Sequence, residues 1–229
     1  MPAGHEGVMA AACPEIRVRC DPAPPDALSC AEVAADPAVA LRLVEAEMTA
    51  TAHRVHAAAA RTALSVYAIK IGQATVLPWA LGLGWWHPDR VRLGGDGGHG
   101  WHTLHLPGEP VPVELDELIG TIFDGHLFRV AGHLRVVRGC AAPAMRGQIG
   151  FGIGTALARA ARGGADSARL SLAYQRLCSV VPWLAPTGRL LTGAKGLTYL
   201  RNHCCLFWTA PGEDACRSCP RRTDADRLS

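Results

Sequence analysis

The sequence lacks both a long apolar run and a strong charge of one sign. Its longest apolar stretch, Ala74 to Trp86, is interrupted by Pro78, Gly82 and Gly84. That stretch is too short to span a bilayer, and its length favours a buried helix with an exit turn over a hairpin that faces a membrane. The net charge is only +3. Because there is also no basic stripe with interleaved aromatic residues, we expect no nucleic-acid partner.

The motifs of common hydrolases and nucleotide-binding proteins are also missing. Residues 188–195 do not have the spacing of a phosphate-binding loop, and the glycine-rich residues 147–154 do not have the spacing of a dinucleotide-binding loop. We interpret this glycine run as a close helix–helix contact. No nucleophile elbow, zinc-protease helix or pair of carboxylates stands out. This pattern suits electron transfer, which needs a cofactor and no general base.

Cysteine is abundant, and its arrangement is the most informative feature of the chain. The sequence holds nine cysteines, an odd number, and no basic region followed by an apolar stretch at the N-terminus, so we expect a reducing compartment and no disulfide framework. Cys204 and Cys205 are adjacent, ten residues follow, and Cys216 and Cys219 are separated by two residues. Pro211-Gly212 predicts a turn that brings the two pairs together.

Four thiolates from two short segments predict a metal site, either a tetrahedral zinc or an iron–sulfur cluster. Adjacent cysteines are unusual for a zinc knuckle. An apolar wall follows the first pair, and cations that could stabilise a reduced cluster lie nearby. These cations are Arg201, His203, Arg217, Arg221 and Arg222. The remaining cysteines show no ligand spacing, and we expect Cys140 and Cys178 to be small buried apolar residues. The others are Cys13, Cys20 and Cys30.

Over Arg201 to Pro220 the chain resembles the FhuF family of ferric-siderophore reductases. The shared features are the adjacent pair, the ten-residue spacing, Cys-x2-Cys, the Pro-Gly turn and the proline after the last cysteine. The departures are Trp208, where tyrosine is common, and His203, where arginine is common. The resemblance implies a [2Fe–2S] cluster held by Cys204, Cys205, Cys216 and Cys219.

The resemblance further implies an enzyme that reduces a ferric siderophore in the cytoplasm by one electron and so releases ferrous iron. Its electron donor would be a ferredoxin or a reductase, and peripheral contact with the inner membrane stays open. We expect the substrate at the surface around Phe207, Trp208, Arg217 and Arg221. The alternative is a zinc-stabilised module that binds siderophores or other partners without redox activity.

Hydrophobic periodicity predicts a mainly helical α+β fold with a small antiparallel β element. Asp36-Pro37 begins an amphipathic helix of about six turns. We expect further helices over 62–77, from Glu114 to about Arg138, over 155–162 and over 167–178. Short strands are expected at 91–93 and 101–106, around a glycine turn at 94–98. The predicted organisation is an irregular N-terminal arm (1–30), a mainly helical body (31–186) and an iron–sulfur cluster lobe (187–229).

Two groups of histidines are weaker metal candidates. His53 and His56 lie three residues apart, but no cysteine or carboxylate accompanies them, so we expect a surface or capping role. His99, His102 and His105 are crowded, yet the odd offset between the last two places them on opposite faces of a strand.

Overall fold

The computed structural model describes residues 4–95, 101–194 and 196–228. Its α-helices are α1 His5–Ala12, α2 Cys30–Ala35, α3 Pro37–Thr51, α4 His56–Ala74, α5 Val76–Ala80, α6 Leu115–Gly120, α7 Phe128–Leu134, α8 Ala142–Arg162, α9 Ser167–Val180 and α10 Asp224–Leu228. Its strands are β1 Arg17–Arg19, β2 Leu28–Ser29, β3 Arg92–Gly95, β4 Trp101–His105, β5 Gly188–Gly193 and β6 Gly196–Arg201. A π-helical segment, Thr121–Leu127, joins α6 to α7. The predicted class, mainly helical α+β with a small antiparallel element, is confirmed.

Two small sheets accompany the helices. The first has the strand order β1-β4-β3-β2, with β1 and β4 parallel and the other pairs antiparallel. The second is the antiparallel hairpin β5–β6, which leads into the C-terminal cysteines. The predicted strands at 91–93 and 101–106 correspond to β3 and β4. His102 is exposed and His105 is buried, as their opposite faces require, whereas Asp96 to Gly98 and His99 lie outside the described residues.

Helices α4 and α8 pack closely at the centre of the molecule. A Cβ on Gly152 would lie 2.4 Å from the carbonyl group of Ala68, and one on Gly72 would lie 2.8 Å from the Gly152 carbonyl oxygen. The predicted close helix–helix contact is therefore confirmed. The predicted helix start at Thr155 is wrong, because α8 begins at Ala142 and contains the whole glycine run. Each glycine disfavours helix by about 1 kcal/mol, and tight packing along α8 offsets that.

From His5 onwards the N-terminal segment contains helix α1 and strands β1 and β2, which corrects the prediction of an irregular arm. Met9 and Ala12 of α1 are buried, as is Ile16 just before β1. The Glu6 carboxylate accepts a 2.7 Å hydrogen bond from the Cys20 backbone N–H. These short elements each bury only a few apolar residues, so their periodicity is too brief to be recognised in the sequence. The division of the chain at residues 30 and 186 stays a prediction.

The predicted first helix begins where expected but is shorter. The Asp36 carboxylate caps α3 by accepting a 2.8 Å hydrogen bond from the Ala38 N–H, with Pro37 in the first turn. The helix ends at Thr51 because Ala52 is left-handed, with φ of 53°. Helix α4 then begins at His56, six residues before its predicted start, and is buried along most of its length. Within the described residues, no helix combines the length and apolarity needed to cross a membrane.

A buried hydrogen-bond chain ties the π-helical segment to α4. Within the predicted helix from Glu114, His126 lies in the π-helical segment and is 1% exposed. Its Nε2 lies 2.7 Å from the Tyr67 hydroxyl, and its Nδ1 lies 3.1 Å from the Asp89 carboxylate. The hydrogen bond with His126 lowers the pKa of Asp89. This chain satisfies polar groups that would otherwise be left unpaired in the core.

Candidate metal centre

The C-terminal cysteines follow directly on strand β6. Leu206, after the adjacent pair, is left-handed with φ of 70°, which is uncommon for a residue with a side chain. The next turn is closed by a 3.1 Å hydrogen bond from the Glu213 N–H to the Ala210 carbonyl, and Gly212 within it has φ of 80°. Proline followed by a left-handed glycine is the sequence of a type II turn. The predicted Pro-Gly reversal is confirmed.

This reversal brings the four C-terminal thiols together. The sulfurs of Cys204 and Cys219 are 3.7 Å apart. The sulfurs of Cys205 and Cys216 share a contact with one guanidinium group, at 3.2 Å and 2.6 Å. Cys205 and Cys219 are buried, while Cys204 and Cys216 are half-buried. The site therefore lies just beneath the surface, where a redox partner could approach it.

That guanidinium belongs to Arg201, the last residue of β6. Arg201 is 1% exposed, and its Nη2 donates to Cys205 and Cys216. Its Nη1 is buried without a hydrogen-bond partner among the described residues. Burial opposes the charged form, but the negative charge on Cys205 and Cys216 outweighs burial and raises the pKa of Arg201. The site therefore contains a permanent, buried positive charge.

Hydrogen bonds among the thiols shift their pKa values in opposite directions. Hydrogen bonds with Cys204 and Cys216, reinforced by the charge of Arg201, lower the pKa of Cys205. The same hydrogen bonds, together with burial, raise the pKa of Cys204 and of Cys216. The backbone N–H of Leu206 also donates to the Cys204 sulfur at 3.3 Å. Among these three cysteines, the surroundings favour the thiolate, which is the form that binds metals, at Cys205.

Side chains of α4 and α8 form hydrogen bonds with the backbone of the adjacent cysteines. The Thr62 hydroxyl of α4 donates to the Cys205 carbonyl at 3.1 Å, and the Gln148 amide of α8 donates to the Cys204 carbonyl at 3.3 Å. His203 packs against Gly147, where a Cβ would lie 2.3 Å from its side chain. The central helices therefore position the backbone that carries the first cysteine pair. The sequence gives no signal for Thr62 or Gln148, because each is distant in sequence from the motif.

The remaining basic residues of the motif have different surroundings. Arg222 donates two hydrogen bonds to the Ala215 carbonyl, at 3.1 Å and 2.7 Å. Arg221 stacks over the Trp208 ring at 4.1 Å. Arg217 is exposed and faces a different surface, beside Phe151 of α8. The predicted cradle around Phe207, Trp208, Arg217 and Arg221 thus divides into two faces.

The other cysteines and the histidines lie outside this group. All nine cysteines are free. Cys140 is buried as predicted, whereas Cys178 is half-buried beside Tyr174. His53, predicted at the surface, is instead buried, with its ring 6.3 Å from that of Phe207, while His56 is exposed.

The donor set fits the cofactor that the resemblance implies. Four thiolates are the usual ligands of a [2Fe–2S] cluster, and such a cluster carries negative charge that the buried Arg201 would balance. Within the described residues, no group of three or more histidine, cysteine or acidic side chains, the four thiols included, is placed so that it could hold a single metal ion.

Comparison with known families agrees with this chemistry. Residues 201–221 match the family model described as the FhuF 2Fe-2S C-terminal domain. This segment is similar to an FhuF 2Fe-2S C-terminal domain. The FhuF-type match contains the four C-terminal cysteines and supports a [2Fe–2S] cluster as the cofactor. A comparison with curated proteins gives no match.

Proposed function

We propose that this protein is a cytoplasmic ferric-siderophore reductase, with Cys204, Cys205, Cys216 and Cys219 as the ligands of its [2Fe–2S] cluster. The observation that carries the proposal is the gathering of these thiols around buried Arg201 within an FhuF-type domain. When bound, the cluster supplies one electron at a time to an acceptor outside it. The electron donor is proposed to be a ferredoxin or a reductase.

The residues of the chain provide the cluster ligands, balance their negative charge and leave the site accessible to a substrate. Arg201 balances negative charge at the thiolates, and the Leu206 N–H adds a further donor to Cys204. Both interactions favour the reduced state, because it carries one more negative charge. The half-buried Cys204 and Cys216 leave one side of the site close to solvent. A ferric siderophore there would gain one electron, which weakens the hold of its hard oxygen donors on the iron.

The first test concerns the cofactor. Protein purified without exposure to air should contain about two iron and two sulfide per chain and be red-brown. Cys205→Ser should lose or severely alter the visible spectrum, because a hard oxygen replaces a soft thiolate. Cys178→Ser is the matched control and should leave the spectrum intact. Stoichiometric zinc without sulfide would instead favour the zinc-stabilised binding module.

The second test concerns the reaction. The dithionite-reduced protein, freed of excess dithionite, should be reoxidised by a ferric siderophore, and a ferrous chelator should trap the released iron. The gallium(III) form of the same siderophore should leave the cluster reduced, because gallium has no accessible lower oxidation state. If hydroxamate, catecholate and mixed ferric siderophores all failed to reoxidise the cluster anaerobically, the reductase proposal would be refuted.

A further inference from the structure

A cleft with a volume of about 310 Å³ lies beside the cysteine site. One wall is a face of α8, the opposite wall is β6, and the ends are formed by the loop between Cys216 and Cys219 and by α10. Its volume is at the lower end of those of sites that bind small molecules. The lining residues are Phe151, Thr155, Ala158, Arg162, Leu197, Thr198, Tyr199, Leu200, Arg217, Ser218 and Arg227.

The unpaired charge of this cleft is positive. Three arginines line it, and no acidic residue is among the lining residues. Arg162 and Arg217 are exposed, and within the described chain neither side chain has a hydrogen-bond or ion-pair partner. Arg227 is 5% exposed and is already paired, because its Nη1 lies 3.1 Å from the Asp224 carboxylate and its Nη2 donates to the Arg201 carbonyl. The two free guanidinium groups, those of Arg162 and Arg217, can recognise anionic oxygens on this concave surface.

The rest of the cleft is mainly apolar and partly aromatic, with the hydroxyl residues Thr155, Thr198 and Ser218 also in its lining. Phe151 and Leu197 contribute to its walls, and the Arg201 guanidinium lies 4.3 Å from the centre of the Phe151 ring. A ligand that suits these walls combines an anionic group with a flat or apolar body. A bare inorganic anion would use the arginines and leave the apolar walls uncovered.

The cleft is also one side chain away from the candidate cluster ligands. The Ser218 hydroxyl, which lines it, lies 3.8 Å from the Cys216 sulfur. On the Phe151 side, Arg201 separates the cleft from the sulfurs of Cys205 and Cys216. An acceptor held in the cleft would therefore be close enough to the ligands for direct electron transfer.

We infer that this cleft binds one anionic arm of a ferric siderophore and selects ferric complexes of net negative charge, such as catecholates and hydroxycarboxylates, over neutral trihydroxamates. The inference rests on the proposed function, since it specifies the substrate of the same site. The ferric complex gains one electron and the reduced cluster loses one, while Arg162 and Arg217 contribute binding only. Because the cleft is small, the remaining arms and the metal stay at its mouth.

Binding is tested first without electron transfer, on the cluster-loaded protein. Isothermal titration calorimetry with the gallium(III) complexes of a tricatecholate and of a citrate-based hydroxycarboxylate should give tighter binding than with a neutral gallium trihydroxamate. Arg162→Gln and Arg217→Gln should each weaken binding of the anionic complexes by about tenfold, the effect of losing one charge-assisted hydrogen bond. Added salt should reduce the preference for anions.

The matched controls separate a local effect from net charge. Arg135→Gln makes the same charge change at an exposed residue just after α7 and should alter no affinity. Arg221→Gln removes a charge on the Trp208 face, the other half of the predicted cradle, and therefore tests the competing placement of the substrate. Equal affinity for neutral and anionic gallium complexes, or losses in Arg162→Gln and Arg217→Gln no larger than in Arg135→Gln, would overturn the inference. So would a loss confined to Arg221→Gln.

Reoxidation kinetics distinguish a failure of the cleft assignment from a failure of the reductase proposal. A ferric hydroxycarboxylate should reoxidise the reduced cluster with a second-order rate constant that falls about tenfold in Arg162→Gln, while the constant for a ferric trihydroxamate stays the same. Reoxidation by both complexes without dependence on Arg162 or Arg217 would overturn the cleft assignment and leave the reductase standing. Failure of every ferric complex to reoxidise the cluster would overturn the reductase and the substrate assignment with it.

Discussion

Arg201 should raise the reduction potential of the site by a measurable amount, because it is a buried cation in contact with two of the sulfurs. Its Nη2 lies 3.2 Å from the Cys205 sulfur and 2.6 Å from the Cys216 sulfur. Replacing Arg201 with glutamine removes the charge and keeps a hydrogen-bond donor of shorter reach. Replacing it with lysine keeps the charge, although lysine cannot contact both sulfurs with one planar group.

The size of the shift follows from simple electrostatics. Two unit charges about 4 to 6 Å apart interact by about 3 to 4 kcal/mol at an effective dielectric constant of about 20. For transfer of one electron, 59 mV corresponds to a tenfold change in equilibrium constant, or about 1.4 kcal/mol. The potential of Arg201→Gln should therefore be lower than that of the wild type by about 100 to 200 mV. Arg201→Lys should show a smaller decrease.

The assay is an anaerobic redox titration followed by the visible and electron paramagnetic resonance spectra of the cluster. Iron and sulfide content must match the wild type, so that a changed potential is not confused with lost cofactor. Arg135→Gln is the charge-matched control on the surface. The reasoning would be refuted if Arg201→Gln kept a full cluster and its potential moved no further than that of Arg135→Gln.

Three further predictions concern the helical body. Gly152→Ala should destabilise the protein by about 1 to 3 kcal/mol in chemical denaturation, because its Cβ would meet the backbone of α4. Gly132→Ala in α7 is the control: a Cβ there would have nothing within 4 Å, so this change should be neutral or stabilising by up to about 1 kcal/mol. Tyr67→Phe should lower the unfolding free energy by about 1 to 3 kcal/mol, because it leaves His126 Nε2 without its partner in the core; a change within error would contradict this. Asp89→Asn should be less stable than the wild type near neutral pH, and the gap should narrow as pH falls below about 4, since the folded pKa of Asp89 is lowered and its stabilisation is lost on protonation. A gap independent of pH in thermal melts between pH 7 and pH 3 would count against that assignment.

The sequence predicts the cysteine site better than its surroundings because the motif is local. The turn at Pro211-Gly212 follows from residue types that prefer it, and it helps to bring Cys216 back toward Cys205. The close contact with Arg201 also lies within a few residues of the motif. In contrast, Thr62 lies more than a hundred residues from Cys205 in sequence and carries no signature. Its role depends on how α4 packs, which local pattern does not specify.

The glycine run of α8 shows why the helical boundaries were harder to predict. Gly152 faces α4, while Gly150 and Gly154 face Thr187 and Tyr199 at the hairpin β5–β6. Intrinsic propensity argues against a helix here, and the prediction accordingly started the helix only at Thr155. Close packing on two sides overrides that propensity, because only glycine leaves room for both partners. Period and spacing cannot reveal such a two-sided contact in a single sequence.

These contacts connect the candidate site to the core of the protein. A Cβ on Gly154 would lie 2.0 Å from the Tyr199 ring, so α8 fixes the position of β6, the strand that ends in Arg201. The carbonyl of Arg201 in turn accepts a hydrogen bond from Nη2 of Arg227 in α10. The buried charge beside the thiols is therefore held from both sides, by the central helix and by the last one. A cation held in this way need not reorganise when an electron arrives, which is the condition under which a nearby charge is most effective in setting a potential.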